Sequence, residues 1–178
     1  VDARTGADFT RDALAQALSR DGARVHIATH GRTRRGLLGQ SGLLLPRAGS
    51  GELAFVSWIG LADQPIRADL LVLNACDLAD GPGSGATRQT AFANALAASG
   101  ARDTVAALWP VSDGAAAVWV PAFYRALAET PDDPARALQQ AQSALRASRM
   151  YRHPHYWSAL IHLTSIAPAA LSAAPARP

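Results

Sequence analysis

Apolar positions near the start of the chain recur at helical spacing. Phe9, Ala13, Leu14, Ala17 and Leu18 share one face, and the pattern predicts a helix over Asp8 to Ser19 with Thr10 as N-cap and Gly22 as stop. Two later runs follow a different logic. Arg24 to Thr29 (RVHIAT) and Asp69 to Ala75 (DLLVLNA) are short and apolar without alternation, and they lead into His30-Gly31 and Cys76 respectively. Such runs are the mark of strands buried on both faces, as in a parallel sheet. Between them a Gly/Arg loop, a short strand at Gly42 to Pro46, a glycine turn at Gly49 to Gly51 and a short helix near Ser57 to Leu61 read as an excursion. After Cys76 comes a polar, Gly-rich loop, Asp77 to Gly85, and then an Ala-rich helix from Thr87 to Ser99 that Gly100 ends.

The alternation continues. Thr104 to Trp109 reads as a third buried strand closed by Pro110, and Ser112 caps a long helix to Glu129. Asp133 and Pro134 start another helix to Ser148, His153 to Trp157 is a turn, and Ser158 to Thr164 is a last strand. From Ala167 the Ala/Pro-rich tail reads as flexible. Strand and helix in alternation predict one α/β domain with a mainly parallel sheet covered on both faces. In such sheets the site lies beyond the carboxyl ends of the strands. His30 and Cys76 each follow a strand directly, so they emerge on one edge, where neighbouring strands are only ~4.8 Å apart.

Composition narrows the class. The 178 residues are 49% hydrophobic and 17% charged, enough for one folded core and too apolar for a disordered chain. No run is long enough to span a membrane and no secretory leader is evident, which predicts a soluble, cytoplasmic protein with no membrane partner. The formal charge of +3 comes from Arg without a single Lys. In so Ala-rich a sequence this is compositional bias, and no nucleic-acid partner is expected. The first residue is Val, which suggests a piece of a longer protein. The lone Cys76 makes neither an internal disulfide nor a thiolate zinc site, so it is a buried small hydrophobe or a reagent.

A thiol attacks as the thiolate, and an imidazole opposite it takes the proton and later returns it to the leaving amine. His30 is the candidate base. The separation of 46 positions from His30 to Cys76 comes near the roughly 50 that separate His from the Q-A-C-x-G cysteine of caspase-type enzymes, and the local string here is Asn74-Ala75-Cys76-Asp77. The backbone N–H groups of Gly31 and Cys76 are candidates for holding an oxyanion. Asp77, as a like charge beside the thiol, works against thiolate formation.

These residues lie within blocks that resemble the CHAT domain, a branch of the caspase-like cysteine peptidases that also includes separases. The blocks are HIATHG at His26 to Gly31, LLVLNAC at Leu70 to Cys76, ALWPVSD at Ala107 to Asp113, FYRAL at Phe123 to Leu127 and YRHPHYWSAL at Tyr151 to Leu160. They occur in the family's order along nearly the whole chain. The resemblance implies a three-layer α/β/α sandwich over residues 1–166, ahead of the tail at 167–178, with peptide-bond hydrolysis by a His/Cys dyad and no cofactor. It also implies further strands ahead of the first block and, as partners, a protein substrate and a helical-repeat regulatory region or upstream domain. This chain has Asn74 where the family often carries Ser, and Asp77 and Asp80 in the loop that sets specificity.

The resemblance places Asn74, Asp77, Trp109 and Asp113 at the substrate site, with Trp109, at the end of its strand, either packing the core or walling a pocket there. By likeness to separases, LWPVSD borders the first specificity pocket, where Asp113 either faces a basic side chain or is simply a first-turn acid favoured by the helix dipole. The cluster Arg32, Arg34 and Arg35 would welcome acidic segments, and a solvated loop is its plainer reading. His26, mid-strand, reads as a core histidine. His153-Pro154-His155 has ligand-like spacing, yet no acid or thiol completes a metal site there, so no metal is expected. Gly81 to Gly85 lacks the Lys-Ser/Thr ending of a phosphate loop. The alternative to a peptidase is a catalytically silent domain of the same fold serving a longer protein as a regulatory or binding module. A nucleotide-binding domain, the third reading, has no fingerprint in the sequence.

Overall fold

Strand β5, Leu70–Ala75, is the axis of the molecule, and its side chains alternate between two apolar cores. The computed structural model describes residues 2–32, 42–62, 66–75 and 100–165. Among them β1 (Arg24–Thr29), β5, β6 (Asp103–Ala107) and β7 (Leu160–Thr164) form a sheet in the order β1-β5-β6-β7. β1 and β6 run parallel to β5, and β7 runs antiparallel to β6. The fold is therefore mixed α/β with a mainly parallel sheet.

Leu71 and Leu73 face the first core with Ile27, Ala106 and the buried face of α1 (Arg11–Leu18), where Leu14 and Leu18 lie. Leu70 and Val72 face the second core with Val105 and Leu160, against Trp119 and Phe123 of α3 (Asp113–Glu129) and Leu138, Ala141 and Leu145 of α4 (Pro134–Ala147). A strand with apolar side chains on both faces has no wet side to alternate with, which explains the unbroken LLVL.

Local chemistry sets the helix starts as the sequence predicts. Thr10, Ser112 and Asp133 each accept a hydrogen bond from the backbone N–H three residues on, and Pro134 occupies the first turn of α4. The first helix is shorter than its apolar pattern: Gly6–Asp8 is a separate 3-10 turn, and the helix ends at Leu18, ahead of the turn containing Gly22 (φ 70°).

Between β1 and β5 a second, antiparallel sheet is built from β2 (Gly31–Arg32), β3 (Gly42–Pro46) and β4 (Leu53–Ser57), followed by the short α2 (Trp58–Ala62). The sequence pattern does not announce β4, because its large side chains Leu53 and Phe55 point outward and are exposed while Val56 points in. The turn expected at His153 to Trp157 is a single helical turn, α5 (Pro154–Trp157), with the His153 ring as its cap. The helix expected at Thr87 to Ser99 and the tail from Ala167 lie outside the described residues.

Candidate active site

β1, β5 and β6 are parallel, so their carboxyl ends share one rim. β1 leaves it through Thr29, whose hydroxyl donates to the Leu44 carbonyl at 3.0 Å, and the His30 carbonyl accepts from Leu44 N–H at 2.9 Å. These two bonds fasten the end of β1 to β3 and leave the His30 residue exposed. Gly31 is buried and pairs with Leu43 in β2. Since the bond crosses from His30 to Leu44, one residue to either side of that pair, Gly31 and Leu43 form a non-hydrogen-bonded pair, and the Gly31 N–H points away from β3. The β2–β3 ladder therefore does not use it.

On β5, Asn74 pairs with Ala28 and lies half-buried on the face that carries Leu70 and Val72. Cys76 and Asp77 follow β5 in sequence and lie outside the described residues, as do Arg34, Arg35, Asp80 and the glycines Gly81, Gly83 and Gly85.

β6 leaves the rim through Leu108, whose N–H bonds the Ala159 carbonyl at 2.7 Å. Trp109 follows, half-buried, and Asp113 is the exposed first residue of α3. A first-turn carboxylate suits the positive end of a helix, so the plain reading of Asp113 is satisfied locally. Two neighbours of this loop lie in the YRHPHYWSAL block, but their contacts with it are not readable from the sequence. The Trp109 indole N–H donates to the His155 carbonyl at 2.7 Å, and the two rings lie 6.0 Å apart at 24°. Tyr151 places its hydroxyl against the Cα of Gly114, where a Cβ would be only 2.0 Å from that oxygen. A local spacing rule could not find contacts between segments some forty residues apart.

His26 is a packed histidine. Its Nδ1 is hydrogen-bonded to the Tyr124 hydroxyl at 2.9 Å, and its ring stacks on Tyr124 and Trp119 at 5.6 and 6.5 Å. Burial lowers the His26 pKa and pushes that of Tyr124 up to about 12, because both charged forms lose hydration. The His153 Nδ1 accepts from His155 N–H at 3.2 Å. Among the described residues no group of three or more His, Cys, Asp or Glu stands where it could hold a metal ion. No helix of the described residues is long and apolar enough to cross a membrane.

No curated protein matches the chain. The CHAT domain profile matches residues 1–165. The match takes in both parallel neighbours of β5, the loop at Trp109 and the aromatic segment at Tyr151 to Trp157, and by it the chain belongs to the CHAT domain family.

Proposed function

We propose that this domain is a caspase-like cysteine endopeptidase in which Cys76 is the nucleophile and His30 its base. The register of the sheet supports this most directly. β1 pairs with β5 at a constant offset, Arg24 with Leu70 through Thr29 with Ala75, and residues 30 and 76 are the next positions along the two segments. Consecutive Cα atoms are about 3.8 Å apart and paired strands about 4.8 Å apart, so the two Cα atoms are separated by no more than about 12 Å. An imidazole and a thiol span much of that interval.

In this reading the His30 imidazole takes the Cys76 proton and the sulfur attacks a peptide carbonyl carbon. The developing oxyanion is received by the N–H groups of Gly31 and Cys76, the former directed away from β3. Collapse of the adduct breaks the C–N bond as His30 returns the proton to the amine. A thioester remains, and a water deprotonated by His30 hydrolyses it, regenerating the thiol. No step calls for a metal or organic cofactor. Asn74, Asp77, Trp109 and Asp113 border the substrate, an extended protein segment, and Asp113 is the group that would meet a basic side chain. The three-layer α/β/α arrangement over residues 1–166, a helical-repeat partner and a cytoplasmic setting belong to the same proposal.

One feature of the sequence favours a second reading, a silent module of the same fold: Asp77 stands directly after Cys76, and its charge opposes formation of the thiolate. The pH profile of Cys76 alkylation separates the two. A dyad thiolate reacts well below pH 8, and an ordinary thiol follows a pKa near about 8.5. Replacing Cys76 with Ala abolishes cleavage of a peptide library without altering the unfolding midpoint. Cleavage that survives Cys76→Ala removes the peptidase assignment.

A further inference from the structure

Asp133 is the last acid in the sequence. The described chain beyond it, residues 134–165, carries Arg136, Arg146, Arg149 and Arg152 with no carboxylate side chain to offset them. Arg146, Arg149 and Arg152 fall between the last turn of α4 and the start of α5, with His153 and His155 beside them, and all of these residues are exposed. Among the described residues none of them takes part in an ion pair. An acid does reach the border of this patch: Asp113, next to the Gly114 on which Tyr151 seats its hydroxyl. Met150, 73% exposed, stands between Arg149 and Arg152, an apolar side chain among cations.

A solvated loop is the plain account of such residues, and the backbone argues against it. The Ser148 hydroxyl accepts from the N–H groups of Met150 at 3.3 Å and Tyr151 at 3.4 Å. The Trp157 indole donates to the Arg152 carbonyl at 3.2 Å, and the Trp109 indole to the His155 carbonyl at 2.7 Å. The turn is thus fixed by its own backbone bonds while its charges stand in water. Arg146 is held as well, its guanidinium 5.1 Å from the centre of the Trp157 ring. Stacking uses the face of that group and leaves its edge N–H donors for a carboxylate. Cations on a fixed backbone bind at a lower ordering cost than cations on a free loop. Ala107 pairs with Leu160 and the Leu108 N–H bonds the Ala159 carbonyl, so the turn enters β7 at the rim where the parallel strands end.

From this charge and geometry we infer that the turn at Arg146 to His155 is a docking surface for an acidic, extended segment of a partner protein. Arg149 and Arg152 are its free cations, Arg146 its stacked one, and Met150 its apolar contact. The inference goes beyond the peptidase reading and does not rest on it, since binding here needs no catalysis. Carboxylates interleaved with apolar side chains fit the surface: the acids meet the guanidiniums, and a Leu covers exposed Met150. Single-stranded nucleic acid, the other extended polyanion, needs free aromatic faces on which bases stack. The rings here are committed instead. Trp157 carries Arg146, Trp109 carries the His155 ring at 6.0 Å, and both pack on the second core. Tyr151 and Tyr156 are set edge-on to each other at 5.2 Å.

Fluorescence anisotropy of labelled probes titrated with the full chain tests this. One probe is a short capped peptide alternating Glu with Leu, a second has Gln in place of every Glu, and a third is a single-stranded oligothymidylate of the same charge as the first. The expected result is that the Glu probe binds about tenfold tighter than the Gln probe at low ionic strength, an advantage that added salt erodes. Arg149→Gln with Arg152→Gln should weaken the Glu probe by about threefold to tenfold, the range of two exposed ion pairs. The unfolding midpoint of that variant should stay in place, because both residues are exposed. Arg125→Gln with Arg136→Gln removes the same charge at the closed end of the α3–α4 pair and should leave the affinity as it is. Glu and Gln probes that bind alike, or a loss as large in the Arg125/Arg136 variant, overturn the docking surface. Oligothymidylate that binds more tightly than the Glu probe, and loses affinity with Arg149 and Arg152, overturns the polypeptide partner.

Discussion

Tyr124→Phe isolates one atom at the junction of β1 and α3. The lost hydroxyl is the partner of His26 Nδ1 at 2.9 Å, in a site where the rings of Tyr124, His26 and Trp119 stack. Near pH 8 the substitution removes a partly buried hydrogen bond and leaves a ring nitrogen unsatisfied, a loss of about 1–2 kcal/mol. The alkaline limb gives a sharper test. Burial pushes the Tyr124 pKa up to about 12, whereas in the unfolded chain it is near 10. The folded state therefore holds its phenolic proton when the unfolded state has released it. That contribution is complete below pH 10 and is lost as pH rises from 10 to 12. At pH 11 the wild-type protein has lost about 1.4 kcal/mol through this group, and the Phe variant nothing. The difference in urea-unfolding free energy between the two proteins should shrink from about 1–2 kcal/mol at pH 8 to near zero at pH 11. A difference that is the same at both pH values refutes the reasoning, and a tyrosinate absorbance titration shows directly which transition has moved.

The other predictions follow the same method. Burial lowers the His26 pKa, so the unfolded chain binds the proton more readily: stability is complete above pH 6.5 and falls below it, by no more than about 1.4 kcal/mol per pH unit. His26→Gln should flatten that limb in urea titrations between pH 5 and 7. Gly114→Ala drives a Cβ to within 2.0 Å of the Tyr151 hydroxyl and should cost roughly 1–3 kcal/mol by thermal unfolding, with Tyr151→Phe in the same chain restoring part of it. Asp103 is buried and accepts from His162 at 2.8 Å, Thr164 at 3.2 Å and Arg102 at 3.2 Å. Asp103→Ala should cost roughly 3 kcal/mol and raise hydrogen exchange in β7, and Asp103→Asn, which keeps an acceptor, distinctly less.

Much of the scaffold was legible because one residue type carries each local decision. Thr10, Ser112 and Asp133 cap where they are expected to, and the unbroken run at β5 marks a strand with no wet face, whereas β1, expected to be buried on both faces, buries only Ile27 and exposes Arg24 and Ala28 because it lies at the edge of the described sheet. β4 escaped notice because Leu53 and Phe55 lie on the side a pattern would reserve for polar residues. The direction of β7 was equally hidden, since Leu160 and Leu163 feed different cores whichever way the strand runs. At the candidate site, His30 and Gly31 were readable from their place after a strand. His155 and Tyr151 were not, because their roles lie in contacts with Trp109 and Gly114 made through the fold. Cys76, the most legible residue of the sequence, lies one position past the register that pairs β1 with β5 and outside the described residues.

That register has a kinetic consequence. α3 and α4 are joined by residues 130–133 alone and can pair early, since closing so short a loop costs little entropy. β1 must find β5 across an offset of 46 positions, the kind of non-local encounter that slows folding. The proposed acid-base pair therefore comes together among the last contacts to form, and a complete chain caught midway through refolding carries a helical hairpin and no assembled means of cutting its neighbours.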